Sequence, residues 1–244
     1  MEHRVPGTDL PAAILFDMDD TVVDTYRASR DAWHEAAVRL ADERGWDPEQ
    51  ASEAFFAADR WYWQDAERAD WGRLNQAGAR TRIAGRALDE LGWRDDGAAG
   101  WAGPFVVQER INRLQPFPGA LETLAELRRR GVALALVTNG EAPSQRGKID
   151  KVGLVPYFDA VVVEGEFGIG KPEPAVFRHA LAAIGRQARE AWMVGDDLAK
   201  DIAGGRAAGL HTVWVDSRRE GLPEAPAAQP HRIVHAIAEL LPSA

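Results

Sequence analysis

Cysteine is absent from the 244 residues of this chain. The absence excludes disulfide bonds, thiolate metal sites and cysteine nucleophiles. It fits a reducing compartment best, so we expect a cytoplasmic protein. Basic residues are outnumbered by acidic ones, and the net charge of −9 argues against binding to a nucleic acid polymer. A small phosphorylated ligand is still allowed, because one metal ion and a few local donors can reverse the field inside a pocket.

Long hydrophobic runs are missing as well. No window approaches the roughly 20 apolar residues that a membrane-spanning helix needs. The stretch from Met1 to Pro11 is polar and lacks the apolar segment of a secretory signal. The six histidines show no metal-ligand spacing. We therefore expect no membrane partner and no histidine-based metal centre.

What the sequence does contain is five short apolar runs. Each is nearly continuous in apolar residues, as expected for parallel strands covered on both faces. Helical patterns lie between the later runs, and the alternation predicts an α/β fold with a doubly wound parallel sheet. His231–Val234 is expected to add an edge strand, followed by a final helix through Leu241. The five predicted strands are Ala12–Phe16, Val132–Val137, Ala160–Val163, Ala191–Val194 and Thr212–Val215.

The pattern changes between the first two strands, where only helical periodicity is found from about Thr25 to Gln115. This segment is too long for a loop in a compact domain. We expect an all-helical cap over residues 25–115, inserted into a catalytic core made of residues 1–24 and 116–244. Pro104 is expected at the first position of the last cap helix, where its missing N–H does no harm.

Polar clusters follow the predicted strands at their carboxyl ends, where open parallel sheets bind ligands. The first holds Asp17 and Asp19, two residues apart. One carboxylate can attack phosphorus while the other transfers protons. The second is Thr138-Asn139-Gly140, a hydroxyl and backbone amides that can hold phosphate oxygens. For either cluster alone, an ordinary polar turn is the competing explanation.

The third and fourth clusters follow later strands. Lys171 could neutralise the charge of a phosphate, and Pro172 would start the next helix. Asp196, Asp197 and Asp201 offer oxygen ligands that suit Mg²⁺. The alternatives are a solvated lysine and a helix start rich in acids. Because all four clusters arrive in order at strand ends, a functional site is favoured over four coincidences.

Taken together, these clusters resemble the four motifs of the haloacid dehalogenase superfamily hydrolases. The helical insertion resembles that family's cap of the first type. The resemblance covers nearly the whole chain, from Ala12 to about Leu241, and it implies a Rossmann-like core and a magnesium-dependent phosphatase. The motifs that carry it are Asp17-Met-Asp19-Asp-Thr21, Thr138-Asn139-Gly, Lys171-Pro and Gly-Asp196-Asp197-Leu-Ala-Lys-Asp201.

The resemblance also implies a role for each matching residue. Asp17 would be the nucleophile and a metal ligand. Asp19 would be the general acid and base, with its backbone carbonyl on the metal. Thr138, Asn139 and Lys171 would hold the phosphate.

The fourth motif would supply the other metal ligands. Asp196 would bind Mg²⁺ directly. Asp197 is expected at the metal too, and Asp201 and Thr21 are expected to support the site. For Asp197 and Asp201, three roles remain open: binding the ion, holding its waters or orienting Lys171.

The acid at position 19 narrows the chemistry. Dehalogenating members of the superfamily lack it, so its presence favours phosphoryl transfer. The amino-acid sequences of Asp24–Arg30 and of residues 137–171 resemble those of the subgroup that contains N-acylneuraminate-9-phosphatase and pyrimidine 5′-nucleotidases. The expected partner is thus a small phosphorylated metabolite: a sugar phosphate, a sugar-acid phosphate or a nucleoside monophosphate. A sugar phosphomutase is the enzymatic alternative, and a non-catalytic binding protein is the other. We expect a monomer or a homodimer.

The cap contains seven of the nine tryptophans and a stretch that mixes aromatic and cationic residues. Arg68 and Arg73 are candidates to bind an anionic group of the substrate, with Trp61 or Trp63 as a stacking surface. The alternative, which the spacing favours, is that these tryptophans pack the cap helices together.

Overall fold

The computed structural model describes residues 10–242, and the polar start of the chain up to Asp9 lies outside them. The contacts divide the chain into two compact units. One comprises Met1–Asp24 and Gln115–Ala244, and the other comprises Thr25–Leu114. In this division the return segment begins at Gln115, one residue before the position expected from the sequence.

The first unit contains a sheet of six strands in the order β3-β2-β1-β4-β5-β6, and every neighbouring pair is parallel. This confirms the expected doubly wound α/β fold. The order reverses at β1, which pairs with both β2 and β4. β1 is fully buried, which explains its continuous apolar run. The strands are β1 Ala13–Phe16, β2 Ala133–Thr138, β3 Ala160–Val163, β4 Ala191–Gly195, β5 His211–Val215 and β6 Arg232–Val234.

Helices of the same unit lie between these strands. One apolar cluster joins β1, β2 and β4 to the buried face of the helix that carries Val176, Phe177 and Ala180. Helices α1 to α5 belong to the second unit and are described below. The helices of the first unit are α6 Ala120–Arg129, α7 Ala142–Val152, α8 Glu164–Phe167, α9 Pro174–Ala183 and α10 Gly204–Ala207. A π-helical turn at Leu198–Ala203 precedes α10, and short 3-10 turns occupy Val155–Tyr157, Ala188–Glu190 and Ile237–Leu240.

Two expectations for this unit are wrong. The final helix is only the 3-10 turn Ile237–Leu240, which buries Ile237 and Leu240. Pro242 follows directly after Leu241, and a proline lacks the N–H that would continue the helix. Pro172 does not start a helix, since α9 begins at Pro174.

The second unit is a bundle of five helices around its own apolar core. Its largest fully buried side chains include Trp33, Tyr62 and Phe55. The helix Ala66–Arg73 has almost no apolar stripe, so the periodicity of the sequence does not indicate it. The helices are α1 Thr25–Arg44, α2 Pro48–Trp63, α3 Ala66–Arg73, α4 Gln76–Glu90 and α5 Asp96–Arg113.

The expected start of the last helix at Pro104 is also wrong, since Pro104 lies inside α5. That helix begins much earlier because Asp95 caps it: the side chain accepts a hydrogen bond from the Ala98 N–H at 3.0 Å. Over residues 10–242, no helix combines the length and the apolar character needed to cross a bilayer.

Candidate active site

The loop after β1 places the first two carboxylates. The Asp17 N–H donates to the Val194 carbonyl at 2.9 Å, which extends the β1–β4 pairing by one residue. The chain then turns sharply, since the N–H groups of Val22 and Val23 both donate to the Met18 carbonyl. Asp20 adopts a positive φ of 56° within this turn. The result is a tight loop at the carboxyl end of β1, beside the point where the strand order reverses.

Lys171 pairs with two carboxylates from distant segments of the chain. Its Nζ atom lies 2.5 Å from Oδ1 of Asp17 and 2.7 Å from Oδ1 of Asp201. All three side chains are buried. Asp201 comes close because residue 195 is glycine: a Cβ there would lie 2.2 Å from Oδ2 of Asp201. The structure therefore brings the first, third and fourth sequence clusters together.

The acids here hold their protons more tightly than usual. Burial raises the pKa of Asp17 to about 7, against the opposing charge of Lys171 and with help from Asp201 and Asp19. Burial also raises the pKa of Asp196 well above its usual value, and the carboxylates around it raise it further. Burial disfavours the charged form of Lys171, but Asp17 and Asp201 outweigh this effect and raise its pKa. The site therefore has an excess of negative charge.

The second acid, Asp19, has a cation of its own. Lys148 Nζ lies 2.9 and 2.7 Å from the two carboxylate oxygens of Asp19. Gln145 Nε2 lies 3.2 Å from Oδ2 of the same carboxylate, and it also contacts Thr138 Oγ1 at 2.5 Å and the Asn139 carbonyl at 2.7 Å. Both Lys148 and Gln145 are buried. Asp19 is thus held from the side of α7.

The second cluster is divided between two tasks. Thr138 ends β2, is buried and is in contact with Gln145. The side chain of Asn139 donates to the Lys171 carbonyl at 2.7 Å and accepts from the Lys171 N–H at 2.8 Å. The Asn139 side chain therefore fixes the backbone at Lys171. The backbone N–H of Asn139 is then the group of this residue that could bind a phosphate.

In the fourth cluster, Asp197 and Asp201 have different neighbours. Asp197 caps the turn that follows it, with Oδ1 accepting from the N–H groups of Ala199 and Lys200. Its Oδ2 pairs with Lys200 Nζ at 2.7 Å. Burial raises the pKa of Asp197, yet Lys200 and these hydrogen bonds leave it lowered overall. The Asp197 carboxylate therefore bonds to groups of its own turn. Asp201, in contrast, lies beside Asp17 and Asp196.

Three carboxylates could share a metal ion. Asp17, Asp196 and Asp201 each offer one oxygen, and these oxygens lie within 4.8 Å of one another. The donors are all oxygen, as hard divalent cations prefer. Burial is the main reason for the raised pKa values of Asp17 and Asp196, and repulsion from neighbouring carboxylates adds to it. These residues fit a divalent cation, with Asp201 also paired to Lys171.

The other residues named from the sequence have neighbours within their own units. Thr21 is buried in the first loop, and its Oγ1 has no hydrogen-bond partner among the residues that the structure describes. Arg68 lies 3.9 Å from the Trp61 ring and donates to the Trp61 carbonyl at 2.6 Å. Arg73 lies 3.3 Å from Asp70. Trp61 and Trp63 pack against the core of the helical unit, as the packing alternative expects.

Two side chains at the site were not anticipated from the sequence, namely Gln145 and Lys148. Both lie on α7, which has few apolar residues. Its buried positions include Ser144, Gln145 and Lys148 as well as Ile149. The sequence offered one signal for these two residues. The helix that follows Thr138-Asn139-Gly140 lacks an apolar stripe, so its buried face could be recognised as polar.

Comparison with known proteins gives a consistent result. The model of the haloacid dehalogenase-like hydrolases matches residues 11–209. The chain is 38% identical over 235 residues to a phosphoserine phosphatase of Thermus thermophilus, a match that covers 89% of this chain and 92% of the relative. It is 31% identical over 249 residues to the N-acylneuraminate-9-phosphatase of Homo sapiens, covering 96% of this chain and 94% of the relative.

The fold is similar to the crystal structure of the HAD-hydrolase YfnB from Bacillus subtilis bound to magnesium. The TM-score is 0.74 and the identity 22%, over 94% of this chain and 96% of that one. At this identity the likeness concerns the fold alone. The family model spans most of the chain and the relatives span nearly all of it, in agreement with the four motifs. The chain therefore belongs to the haloacid dehalogenase-like hydrolases, among the phosphatases of that family.

Proposed function

We propose that this protein is a magnesium-dependent phosphatase that hydrolyses a small phosphate monoester through an aspartyl phosphate on Asp17. One observation carries the proposal: a single loop presents two carboxylates, and each has its own buried lysine. Lys171 pairs with Asp17, and Lys148 pairs with Asp19. Two acids held separately in this way can take different roles in one reaction.

In the first step an oxygen of the Asp17 carboxylate attacks phosphorus, and the bond from phosphorus to the leaving oxygen breaks. Asp19 in its protonated form gives its proton to that oxygen. In the second step Asp19, now ionised, removes a proton from water, which attacks the phosphorus of the aspartyl phosphate. The bond between phosphorus and Asp17 breaks, so phosphate leaves and both acids return to their starting forms.

Lys171 and backbone amides of the first two loops oppose the charge that builds on the phosphoryl oxygens. Its position beside both Asp17 and Asp201 keeps the ammonium in place without the substrate. Thr138 supplies a hydroxyl from the end of β2. A bound Mg²⁺ would be held by Asp17, Asp196 and Asp201, and it would offset the repulsion between carboxylate and phosphate.

The substrate is proposed from the relatives. Their names concern phosphoserine and an N-acylneuraminate 9-phosphate, which are phosphate monoesters of small carboxylic acids. This class includes the sugar-acid phosphates that the sequence favoured. The resemblance of the sequence also keeps sugar phosphates and nucleoside monophosphates as candidates. We place the enzyme in the cytoplasm, a reducing compartment with which the absence of cysteine is consistent.

The test is a panel of these phosphate esters with Mg²⁺ present, using the wild-type protein and Asp17→Asn. Release of inorganic phosphate by the wild type is expected, whereas the variant should fold normally and release none, because an amide does not attack phosphorus. Circular dichroism checks the fold. Transfer of the phosphoryl group to another sugar hydroxyl, without release, would instead indicate a phosphomutase. Binding without either reaction would indicate a non-catalytic protein.

A further inference from the structure

We propose that Lys148, assisted by Gln145, is a positioning residue that holds the carboxylate of Asp19 in the orientation needed for proton transfer. The inference deepens the proposed function and rests on it. It concerns two side chains of α7 that the family motifs do not include.

The contact between Lys148 and Asp19 involves both carboxylate oxygens. The Nζ atom lies 2.9 Å from Oδ1 and 2.7 Å from Oδ2, so the ammonium sits across the end of the carboxylate. Only 6% of the lysine side chain is exposed, against 31% for Asp19. Burying an ammonium destabilises the folded protein unless the ammonium is well paired. The lysine is therefore anchored in the protein, while the carboxylate keeps an open side.

Gln145 fixes the direction of the same carboxylate. Its Nε2 atom contacts Asp19 Oδ2 at 3.2 Å and the Asn139 carbonyl at 2.7 Å. The glutamine thereby connects Asp19 to the loop after β2, where phosphate is expected to bind. Gln145 and Lys148 are three positions apart on α7, so both side chains point to the same face of the helix.

The surroundings explain why such support is needed. Asp19 is close enough to raise the pKa of Asp17, and Asp201 and Asp196 are close to Asp17 as well. Repulsion from Asp17 would displace an unsupported Asp19 carboxylate. The ammonium of Lys148, in contact with both oxygens of Asp19, offsets this repulsion. Lys171 is not available for that purpose, because it pairs with Asp17 and Asp201.

The experiment uses the full-length protein with Mg²⁺ and two substrates, an alkyl phosphate and an aryl phosphate such as p-nitrophenyl phosphate. The alkyl leaving group needs a proton, whereas the aryl group needs little help. For Lys148→Met we expect kcat with the alkyl phosphate to fall about 10- to 100-fold. The aryl phosphate should lose less, and KM for both should change less than about 3-fold. Lys151→Met is the matched control, an exposed lysine on the same helix, and should behave as wild type.

A double-mutant cycle separates positioning from other roles. If Lys148 acts through Asp19, Lys148→Met should have little further effect in an Asp19→Ala background. An undiminished loss in that background would overturn the proposal. So would equal losses for the two substrates, or a rise in KM alone, which would place Lys148 on the substrate itself.

Two more variants protect the test against a folding defect. Lys148→Gln keeps one donor toward Asp19 and should recover part of the alkyl phosphate rate. Gln145→Leu removes the second support and should show the same selective loss, to a smaller extent. Normal alkyl phosphate turnover in folded Lys148→Gln and Gln145→Leu would overturn the inference. A wild-type protein that releases no phosphate from any ester would instead refute the proposed function, so the two failures are distinguishable.

Discussion

Lys171 and Asp17 form a buried ion pair with 2.5 Å between Nζ and Oδ1, although 154 positions separate them in the chain. The pair joins the loop between α8 and α9 to the loop after β1. It is completed by Asp201, so one ammonium serves two carboxylates. Removing the lysine would leave both acids buried with less compensation.

We expect Lys171→Met to lower phosphatase activity about 10²- to 10³-fold, the usual cost of losing one donor to the developing charge. The loss of the lysine also raises the pKa of Asp17 further, because Lys171 now lowers it. Metal-free Lys171→Met should therefore be destabilised more at pH 8, where the acids ionise, than at pH 5. Phosphate release and thermal unfolding at both values measure this, with Lys151→Met as control. Equal destabilisation at both pH values would contradict it.

A second prediction concerns Asp196, whose raised pKa makes it costly to ionise in the folded protein. A carboxyl with a raised folded pKa is protonated at low pH without penalty. It reduces stability as the pH rises from its unfolded value of about 4 through the folded value. Without metal, Asp196→Asn should thus have a higher Tm than wild type at pH 8, by about 2–4 °C per kcal/mol gained, and the difference should vanish near pH 4.

Metal binding should reverse this order. Mg²⁺ is expected to raise the Tm of the wild type, and the increase should grow with pH because the ligands must be deprotonated to bind it. Asp196→Asn should lose most of the Mg²⁺-dependent increase. Thermal unfolding with EDTA or with Mg²⁺ at several pH values gives the answer without any activity assay. A Tm of the wild type that is insensitive to Mg²⁺ at pH 8 would argue against a metal site here.

The helical unit offers a prediction about stability. Asp59 Oδ1 accepts from the indole N–H groups of Trp33 and Trp63 at 3.0 and 3.1 Å, and it lies 3.4 Å from the buried Arg80. Asp59→Ala would leave these donors without their acceptor. We expect a loss of about 2–4 kcal/mol in the free energy of unfolding, measured by denaturant titration with tryptophan fluorescence. Glu67→Ala, an exposed acid in α3, is the control and should change stability by less than about 0.5 kcal/mol.

Substrate selection by Arg68 and Arg73 stays a prediction. If either binds an anionic group of the substrate, its alanine variant should lose about 1.5–3 kcal/mol in kcat/KM for the best carboxylate-bearing ester. A generic aryl phosphate should be unaffected. Arg68 also supports the backbone of Trp61, so Arg68→Ala should lower stability as well. Parallel losses for both substrates would show that these arginines serve the fold only.

The sequence by itself determined the parallel sheet and the clusters that follow its strands. Continuous apolar runs such as Ala160–Val163 arise because a doubly covered strand meets apolar side chains on both faces, and that property is local. Site residues such as Asp17 and Lys171 could be named for a related reason. Strand ends in a parallel sheet converge at one edge, so order along the chain predicts proximity.

Only the tertiary structure decided how the charges are shared. The sequence could not assign different roles to Asp197 and Asp201. In the structure, Asp197 caps its own turn. Asp201 approaches Lys171 because residue 195 is a glycine. Lys148 could not be paired with Asp19 from the sequence, because the pairing depends on how α7 packs against the first loop. Ion pairs between distant segments depend on distances of a few ångströms, which a one-dimensional pattern does not contain.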